Sequence, residues 1–509
     1  MKILTITIFS VALNLIVYYV KEAYEVKKVF EAKNNKKIRF RDIKWGDKMA
    51  IIKDRELLNE DGSVSIELLV KCLDNHQDLI TRYKKLNDYY DGEHDIKRRT
   101  LSSPSLPNNK LVCNHAEYIT DMGVGYVFGT PISYSGDDSE ALNDIFTDID
   151  EDSHNNELAI DISIFGLGNE LLYMNDGEVP YPDLAVVSPF NGFLVVDSTV
   201  KHKPMFAVTY FEKKDIDDKK TGYDVHIYTD TEIYHYFFED LSSKTPKEID
   251  LNEHYFGEIP FIEYQNNKKS KGDFEGVITL IDAYNLLQSD RVNDKEQMVD
   301  ALLAVIGATL GDDEEEKIKT GKLLKELKIL ELDPGGDAKW LVKSLNETEI
   351  EVLKKSLKDD IHEFSKVPCL TDENFVGNAS GVAMKYKLLA FEQLGKIKER
   401  YFKKGLRQRL KLMSNIENIK AKNIDSSNID ITMKRSLPVD DELLARIAQM
   451  TEGFISWETR VKRFDEELDV DKERENLDKE NEKKIEQHQK SFGSYDFKEI
   501  KKDGEVDEE

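Results

Sequence analysis

From Phe274 to Leu310 the chain runs for about 36 residues without a proline and reads as one helix, roughly 54 Å long at 1.5 Å per residue. Its two ends are apolar, but the middle, QSDRVNDKEQ from Gln288 to Gln297, is polar nearly all round. A helix of that length with a wet middle cannot be the core of one compact domain, and the pattern predicts an element that stands beside copies of itself or lines something wet. A second long helix is expected from Glu347 to about Phe364, before Pro368. Between the two lie an acidic run, Asp312, Asp313, Glu314, Glu315 and Glu316, and then KLLKELKILELDPGGDAKWL, a small unit of short strands or helices around a Pro-Gly-Gly turn. The expected order is two long helices with a small insertion between their distal ends.

The segment that follows, NFVGNASGVAMKYKLLAFEQLGKIKERYFKKGLRQRL from Asn374, passes from a glycine-containing loop into a basic helix, Val382 to Met413. A phosphate-gripping loop needs Gly, four residues, then Gly-Lys and a hydroxyl residue. Gly377 and Gly381 are followed by Val382; Gly321-Lys322 has Glu316 where the first glycine belongs, and Gly395-Lys396 has Ala390 there. The loop reads instead as a flexible connection, with Ser380 capping the next helix. That helix carries ten Lys plus Arg and only Glu392 and Glu399 as acids. Ten cations could grip phosphates, but the reading favoured here is a solvated face or pairing with acids on an adjacent subunit. Its apolar positions, Leu388, Phe391, Leu394, Ile397 and Tyr401, then Phe402, Leu406, Leu410 and Met413, drift round the axis, as in a helix that kinks or packs on more than one neighbour.

The chain of 509 residues is long enough for two to four packed units, and its 72 Lys plus Arg against 99 Asp plus Glu give a net charge of −27. A surface so acidic repels nucleic acid overall, so any dealing with DNA has to be local or non-adhesive. Cys72, Cys113 and Cys369 fit neither a disulfide scaffold nor a zinc site and suggest a reducing compartment. Ile3 to Val20 carries no charge and is followed by Lys21, Lys27, Lys28, Lys36, Lys37, Arg39 and Arg41, the pattern of a short span with a basic flank. Met49, however, opens an ordinary polar N-terminus leading into an amphipathic helix. A start at Met49 is therefore the expectation for this end, with a membrane anchor as the alternative. Residues 1–48 are set apart as an atypical extension.

In the body, Ile66, Leu69, Val70, Leu73, Leu79, Ile80 and Tyr83 mark a helix from Ser65 to about Tyr90 that Gly92 stops. Helices are expected near 112–128, 139–149 and 156–175. Between about 183 and 264, runs rich in β-branched and aromatic residues predict a strand-rich unit, so the fold class is α+β. His226, His235 and His254 lie in or beside these strands without ligand-type spacing, and they read as strand histidines facing solvent or a neighbouring tyrosine. No catalytic residue, metal or cofactor is assigned.

Taken together, YYDGEHDI from Tyr89, PNNKLVCNHAEYITDMGVGYVFGTPISY from Pro107, AYNLLQSDRVNDKEQ from Ala283, FVGNASGVAMKYKLLAFE from Phe375 and FISWETRVKRFDEELDVDKERENLDKE from Phe454 resemble the portal proteins of tailed double-stranded DNA bacteriophages, of the type found in long-tailed phages of Gram-positive hosts. The resemblance covers about Met49 to Glu480. It implies a portal fold: a wing at 49–272, a first stem helix at 273–310, a clip at 311–346, a second stem helix at 347–369, a tunnel loop at 370–381, a long wing helix and return at 382–436, a helical crown at 437–490, and an acidic disordered tail at 491–509. It also implies a non-enzymatic ring, typically of twelve subunits, at a capsid vertex of the virion, assembled in the host cytoplasm. Its partners would be copies of itself, the terminase large subunit, major capsid and scaffolding proteins, head-completion or adaptor proteins, and double-stranded DNA passing without sequence specificity. In this reading Thr371, Asp372, Glu373, Asn374, Phe375, Val376, Gly377, Asn378, Ala379 and Ser380 face DNA, and Asp312 to Glu316 meet the motor. Tyr89, Tyr90, Gly92, Asn114, Gly129, Pro131 and Gly381 are structural residues of the motif. Two alternatives come from other classes: a membrane-anchored interaction protein using residues 3–20, and a terminase-like ATPase or nuclease.

Overall fold

The computed structural model describes residues 50–101, 103, 106–136, 138–175, 180–299, 302–306, 313–327, 337–341, 347–370, 386–436, 441–464 and 470–492. The chain divides into two compact units, 1–436 and 437–509. The first opens with strand β1 (Ile51–Lys53) and helix α1 (Ile66–Tyr90), whose N-terminus is capped by Ser65 Oγ accepting from the Leu68 amide at 3.3 Å. Leu68, Leu69, Cys72, Leu73 and His76 repeat at helical spacing and are buried. Gly92, with φ of +76°, turns the chain just past the helix end. Then come α2 (His115–Phe128), β2 (Ser133–Ser135), α3 (Glu140–Asp148) and α4 (Glu151–Phe165).

The helix expected at 156–175 ends at Phe165. Gly166 takes φ of +84°, and a Cβ there would lie 2.1 Å from the Ser270 carbonyl oxygen. Only glycine fits, so the helix stops, and the remaining residues form strand β3 (Leu167–Met174). Leu, Tyr and Met in that stretch suit a helix as well as a strand, and pairing on both sides decides the matter.

The strand-rich region continues with β4 (Pro182–Val187), β5 (Gly192–Asp197), β6 (Pro204–Lys214), β7 (Lys220–Tyr228), β8 (Glu232–Phe238), β9 (Lys247–Glu253) and β10 (Phe261–Gln265). A six-stranded sheet has the order β1-β5-β6-β7-β8-β9, with β1 parallel to β5 and the other neighbours antiparallel. A three-stranded antiparallel sheet has the order β10-β3-β4. The buried face of α1 packs on the larger sheet against Phe193, Val195, Phe206, Val208, Val225, Ile227 and Phe238. The main core lies among α2, α4, the smaller sheet and the later helices, around Ile119, Leu158, Ile162, Tyr264, Phe274, Ile281 and Phe402.

Helix α5 (Ile278–Val299) is followed by β11 (Leu302–Ile306), α6 (Glu314–Leu327), β12 (Asp337–Leu341), α7 (Glu347–Ser365), α8 (Leu389–Ile419) and β13 (Asp430–Thr432), which pairs with β2. The single helix expected over Phe274 to Leu310 is therefore shorter. Its last apolar run is a strand, paired antiparallel with β12 so that Leu303 faces Trp340. A short apolar run supports helix or strand equally, and here a partner more than thirty residues away selects the strand. The second unit contains α9 (Asp441–Met450), α10 (Trp457–Phe464) and α11 (Val470–Phe492), with the Arg474 guanidinium 6.0 Å from the centre of the Trp457 ring. Among the described residues no helix is long and apolar enough to cross a membrane; residues 3–20 lie outside them.

His76 joins α1 to the larger sheet. Its Nε2–H donates to the Pro189 carbonyl at 3.0 Å, which leaves Nδ1 to accept from the Tyr210 hydroxyl at 2.8 Å. Burial pushes its pKa down to about 4, with the Pro189 carbonyl opposing the shift. A neutral folded histidine and a charged unfolded one mean that stability, full above pH 6.5, is lost as pH falls toward 4. Acidification from pH 7 to 5 is expected to cost the wild type about 2 kcal/mol more than a His76→Gln variant, read from the difference in their urea midpoints.

Candidate functional site

The two long helices form an antiparallel pair in register. Arg291 of α5 lies 2.6 Å from Glu351 of α7, and one turn further along each helix Lys295 lies 3.1 Å from Glu347. The strand pair β11–β12 and helix α6 are inserted between the ends of this pair. At the start of α6, the Asp313 carboxylate accepts from the Glu316 amide at 2.8 Å and caps the helix, while Glu314, Glu315 and Glu316 occupy its first turn. The acidic run thus has a local structural use, with its carboxylates at the positive helix end. Asp312 lies outside the described residues.

One face of the polar middle of α5 is turned to protein. The extended segment 109–113 runs antiparallel along it and donates alternate backbone amides: Asn109 to Asn293 Oδ1 at 2.8 Å, Leu111 to Ser289 Oγ at 3.0 Å, and Cys113 to Asn285 Oδ1 at 2.8 Å. Two residues of extended chain advance about 6.6 Å and four residues of helix about 6.0 Å, so the two repeats stay in step over three rungs. The Ser289 hydroxyl hydrogen is committed to the Asn285 carbonyl, leaving its lone pairs for Leu111. Asn285, Ser289 and Asn293 are all buried. The expectation that this stretch lines something wet is corrected on this face, where the polar residues receive a strap of the same chain.

Four of the motif residues, Tyr89, Tyr90, Gly92 and Asn114, gather at the near end of that strap, while Gly129 and Pro131 lie at the other end of α2. Tyr89 is buried, donates to Asp282 at 2.6 Å and stacks on His94 with ring centres 4.6 Å apart. The Tyr90 hydroxyl donates to Asp121 at 3.2 Å. Asn114 caps α2, accepting from the Glu117 amide at 3.3 Å while its side-chain nitrogen donates to the Tyr90 carbonyl at 2.8 Å. Gly129 ends α2, and Pro131 is exposed just beyond it.

The entrance to α5 is clamped twice by buried charge. Arg82 of α1 forms a bidentate pair with Glu275, at 3.0 and 2.6 Å, and also donates to the Ser270 carbonyl at 3.1 Å. Lys398 of α8 lies 2.5 Å from Asp273, which also accepts from Ser163 and, at 2.8 Å, from Asn266. A third cation, Arg409 of α8, is fully buried. It meets Glu151 at 2.5 Å, Asn155 at 2.9 Å and both oxygens of Glu170, while His154 donates to Glu170 at 2.9 Å and Tyr134 to Glu151 at 2.7 Å. Burial alone would raise the Glu170 pKa, but Arg409 and His154 overcome it and hold the carboxyl at about 2.

Sequence reasoning missed these three cations. Within a basic helix Lys398 and Arg409 look like the exposed lysines around them. The expected solvated face or inter-subunit pairing is corrected for these two, because their partners lie in the same chain. Their one sequence signal is that they fall on the apolar stripe, with Lys398 four residues before Phe402 and Arg409 beside Leu410.

The predicted loop Thr371–Ser380 and Gly381 lie outside the described residues, but both flanks are seated on α2. On the near side the Leu370 amide donates to the Tyr118 hydroxyl at 3.0 Å, and that hydroxyl donates to the Pro368 carbonyl at 3.1 Å. On the far side Phe391 stacks on Tyr126 with ring centres 4.2 Å apart, and Glu392 accepts from Tyr126 at 2.5 Å and Arg435 at 3.1 Å. Tyr118 and Tyr126 are eight residues apart on one helix, about 12 Å along its axis. The histidines of the larger sheet do not converge: His226 and His235 stack as a cross-strand pair 4.3 Å apart, and His254 donates to the Thr229 carbonyl at 3.0 Å. Among the described residues no group of three metal-type side chains is found.

Removing a buried cation leaves its carboxylates stranded. Arg409→Met is expected to destabilise the fold by about 3–5 kcal/mol, whereas Lys411→Met, which breaks an exposed pair with Glu258, should cost under about 1 kcal/mol. Chemical denaturation of both variants checks the contrast.

The profile of the family described as "Phage portal protein, SPP1 Gp6-like" matches residues 69–487. Two curated relatives, each named "Portal protein", align with the chain. That of Clostridium phage phiCD119 is 25% identical over 395 residues, 72% of this chain and 85% of the relative. That of Bacillus phage SPP1 is 23% identical over 410 residues, 74% of this chain and 78% of the relative. Among solved structures, a chain described as "Neck of native GTA particle computed with C12 symmetry" is 13% identical with a TM-score of 0.40, covering 68% of this chain and 88% of that one, a likeness too distant to carry the assignment. On the breadth of the family match, running from within α1 into α11, this chain belongs to the SPP1-type phage portal protein family.

Proposed function

We propose that the chain is the structural subunit of a portal, a ring at a capsid vertex through which viral DNA enters and leaves the head. The family match over residues 69–487 carries this reading, and the rooted antiparallel helix pair is the geometry that supports it. In the proposed ring, typically of twelve copies, closed rotational symmetry brings one surface of each chain against a different surface of the next. The pair α5 and α7 is the stem. The insertion with β11, α6 and β12 is the clip, which meets the terminase large subunit and later the head-completion or adaptor proteins. Residues 49–272 with α8 form the wing, and 437–490 the crown, against the major capsid and scaffolding proteins. The virion is the destination and the host cytoplasm the place of assembly.

The loop 370–381, tied at both flanks to α2, is proposed to face the DNA. Asp372, Glu373 and Asn374 present acid and amide groups, and the chain carries a net charge of −27. Each phosphate neutralised adds affinity and therefore drag, so a channel for a sliding genome is better acidic than basic. ATP hydrolysis belongs to the separate terminase in this reading. The membrane-anchor alternative rests on residues 3–20 alone and would leave the full chain in membranes after a high-salt wash.

Negative-stain electron microscopy of the chain expressed from Met49 should show end-on rings of about a dozen subunits with an axial hole; a protein that stays monomeric at high concentration would overturn the proposal. In assembled rings, Asp372→Lys with Glu373→Lys should create DNA affinity that falls with salt, the log–log slope steepening by about 0.9 for each phosphate that the new lysines neutralise. Unchanged, salt-independent behaviour would remove the loop from the channel wall.

A further inference from the structure

We infer that α5 is two mechanical segments, and that its distal half, from Ser289 onward, is a latched element released separately from the proximal half. The inference rests on how each half is held and does not require the portal reading. In the proximal half, Ile278, Ile281 and Tyr284, together with Val277 just before the helix, are buried in the main core. Apolar burial of this kind is not weakened by charge screening and does not rest on any one hydrogen bond. In residues 285–296 no apolar side chain is buried; Leu286 is exposed, and the buried residues are Asn285, Ser289 and Asn293.

The distal half is held by polar contacts on two sides. On one side are the rungs from Leu111 and Asn109, reinforced by the Asn109 side chain, which donates to Asn293 and Glu296 at 2.9 Å each, and by Arg99 at 2.6 Å from Asp290. On the other side are the pairs of Arg291 and Lys295 with α7, in which Glu351 and Glu347 are exposed. Exposed ion pairs are weak and screened by salt, and single hydrogen bonds contribute modestly. The distal half therefore opens at a lower free energy than the proximal half. The division falls near Asn285, the last rung, whose side-chain nitrogen is also held by His94 at 2.7 Å.

Release has a defined consequence. The strap leads directly into Asn114 and α2, the helix that seats both flanks of 371–385. While the latch is closed, α2 and the distal helix pair with its insertion are joined by the strap; when it opens, that connection is lost and the proximal half stays in the core.

Hydrogen–deuterium exchange read by mass spectrometry on the full chain tests this. In Ser289→Ala with Asn293→Leu, amides of 289–296 and of 109–111 should exchange roughly tenfold faster, with those of 278–284 unchanged. Uniform acceleration across 278–296, or none at 289–296, would overturn the proposal. Should the double variant fail to fold, the wild type decides: raising salt from about 0.05 to about 1 M should accelerate the same two segments about threefold and spare 278–284. A uniform salt response, or none, would again overturn it.

Discussion

The buried guanidinium of Arg409 holds together elements that the sequence places far apart. It sits on α8 and engages Glu151 at the start of α4 and Glu170 in β3, so one side chain joins a helix near residue 400 to two elements near 160. Such a group cannot be left unpaired in the interior, and the cost of breaking it makes the arrangement close to all-or-none. Lys398 with Asp273 and Arg82 with Glu275 apply the same constraint five and three residues before α5 begins. The entry to the antiparallel pair is therefore fixed from two helices at once, α8 and α1. A long helix pair rooted at one end in a mixed sheet-and-helix core needs such a foundation, because a displacement at the base is magnified along its length.

Beyond that foundation the holding forces change character. The proximal part of α5 is held by hydrophobic burial, the distal part by a strap of backbone amides and by ion pairs to α7. The near-match between four helical residues and two extended ones lets a strap run along a helix and satisfy its own amides, which need partners when buried. In this helix Asn285, Ser289 and Asn293 of the polar stretch have an interior hydrogen-bonding role.

Much of the organisation was readable along the chain. The α1 helix starting at Ser65 and the α7 helix follow from local periodicity and end signals, and the strand-rich stretch from composition and turns. Where reading failed, a distant partner had decided. Leu167 to Met174 became a strand because β10 and β4 flank it, and Leu302 to Ile306 because β12 pairs with it. In the basic helix, Lys398 and Arg409 carry the same letters as their exposed neighbours, and only the acids brought across the core set them apart. Of the candidate site residues, Tyr89, Tyr90, Gly92, Asn114 and Gly129 have visible structural work around the helix ends, while Thr371 to Gly381 lie outside the described residues.

By itself the sequence determined the acidity of the chain, the mixed α+β class, and the order of two long helices with an insertion between them and a basic helix after them, since these depend on composition and on patterns within a few turns. The family match over residues 69–487 likewise rests on sequence alone. Tertiary structure alone decided which polar residues are buried, what they meet and where the long helix stops. Those outcomes depend on pairings between residues far apart along the chain, and whether a charge is stabilised in the interior depends on a neighbour that no local pattern contains.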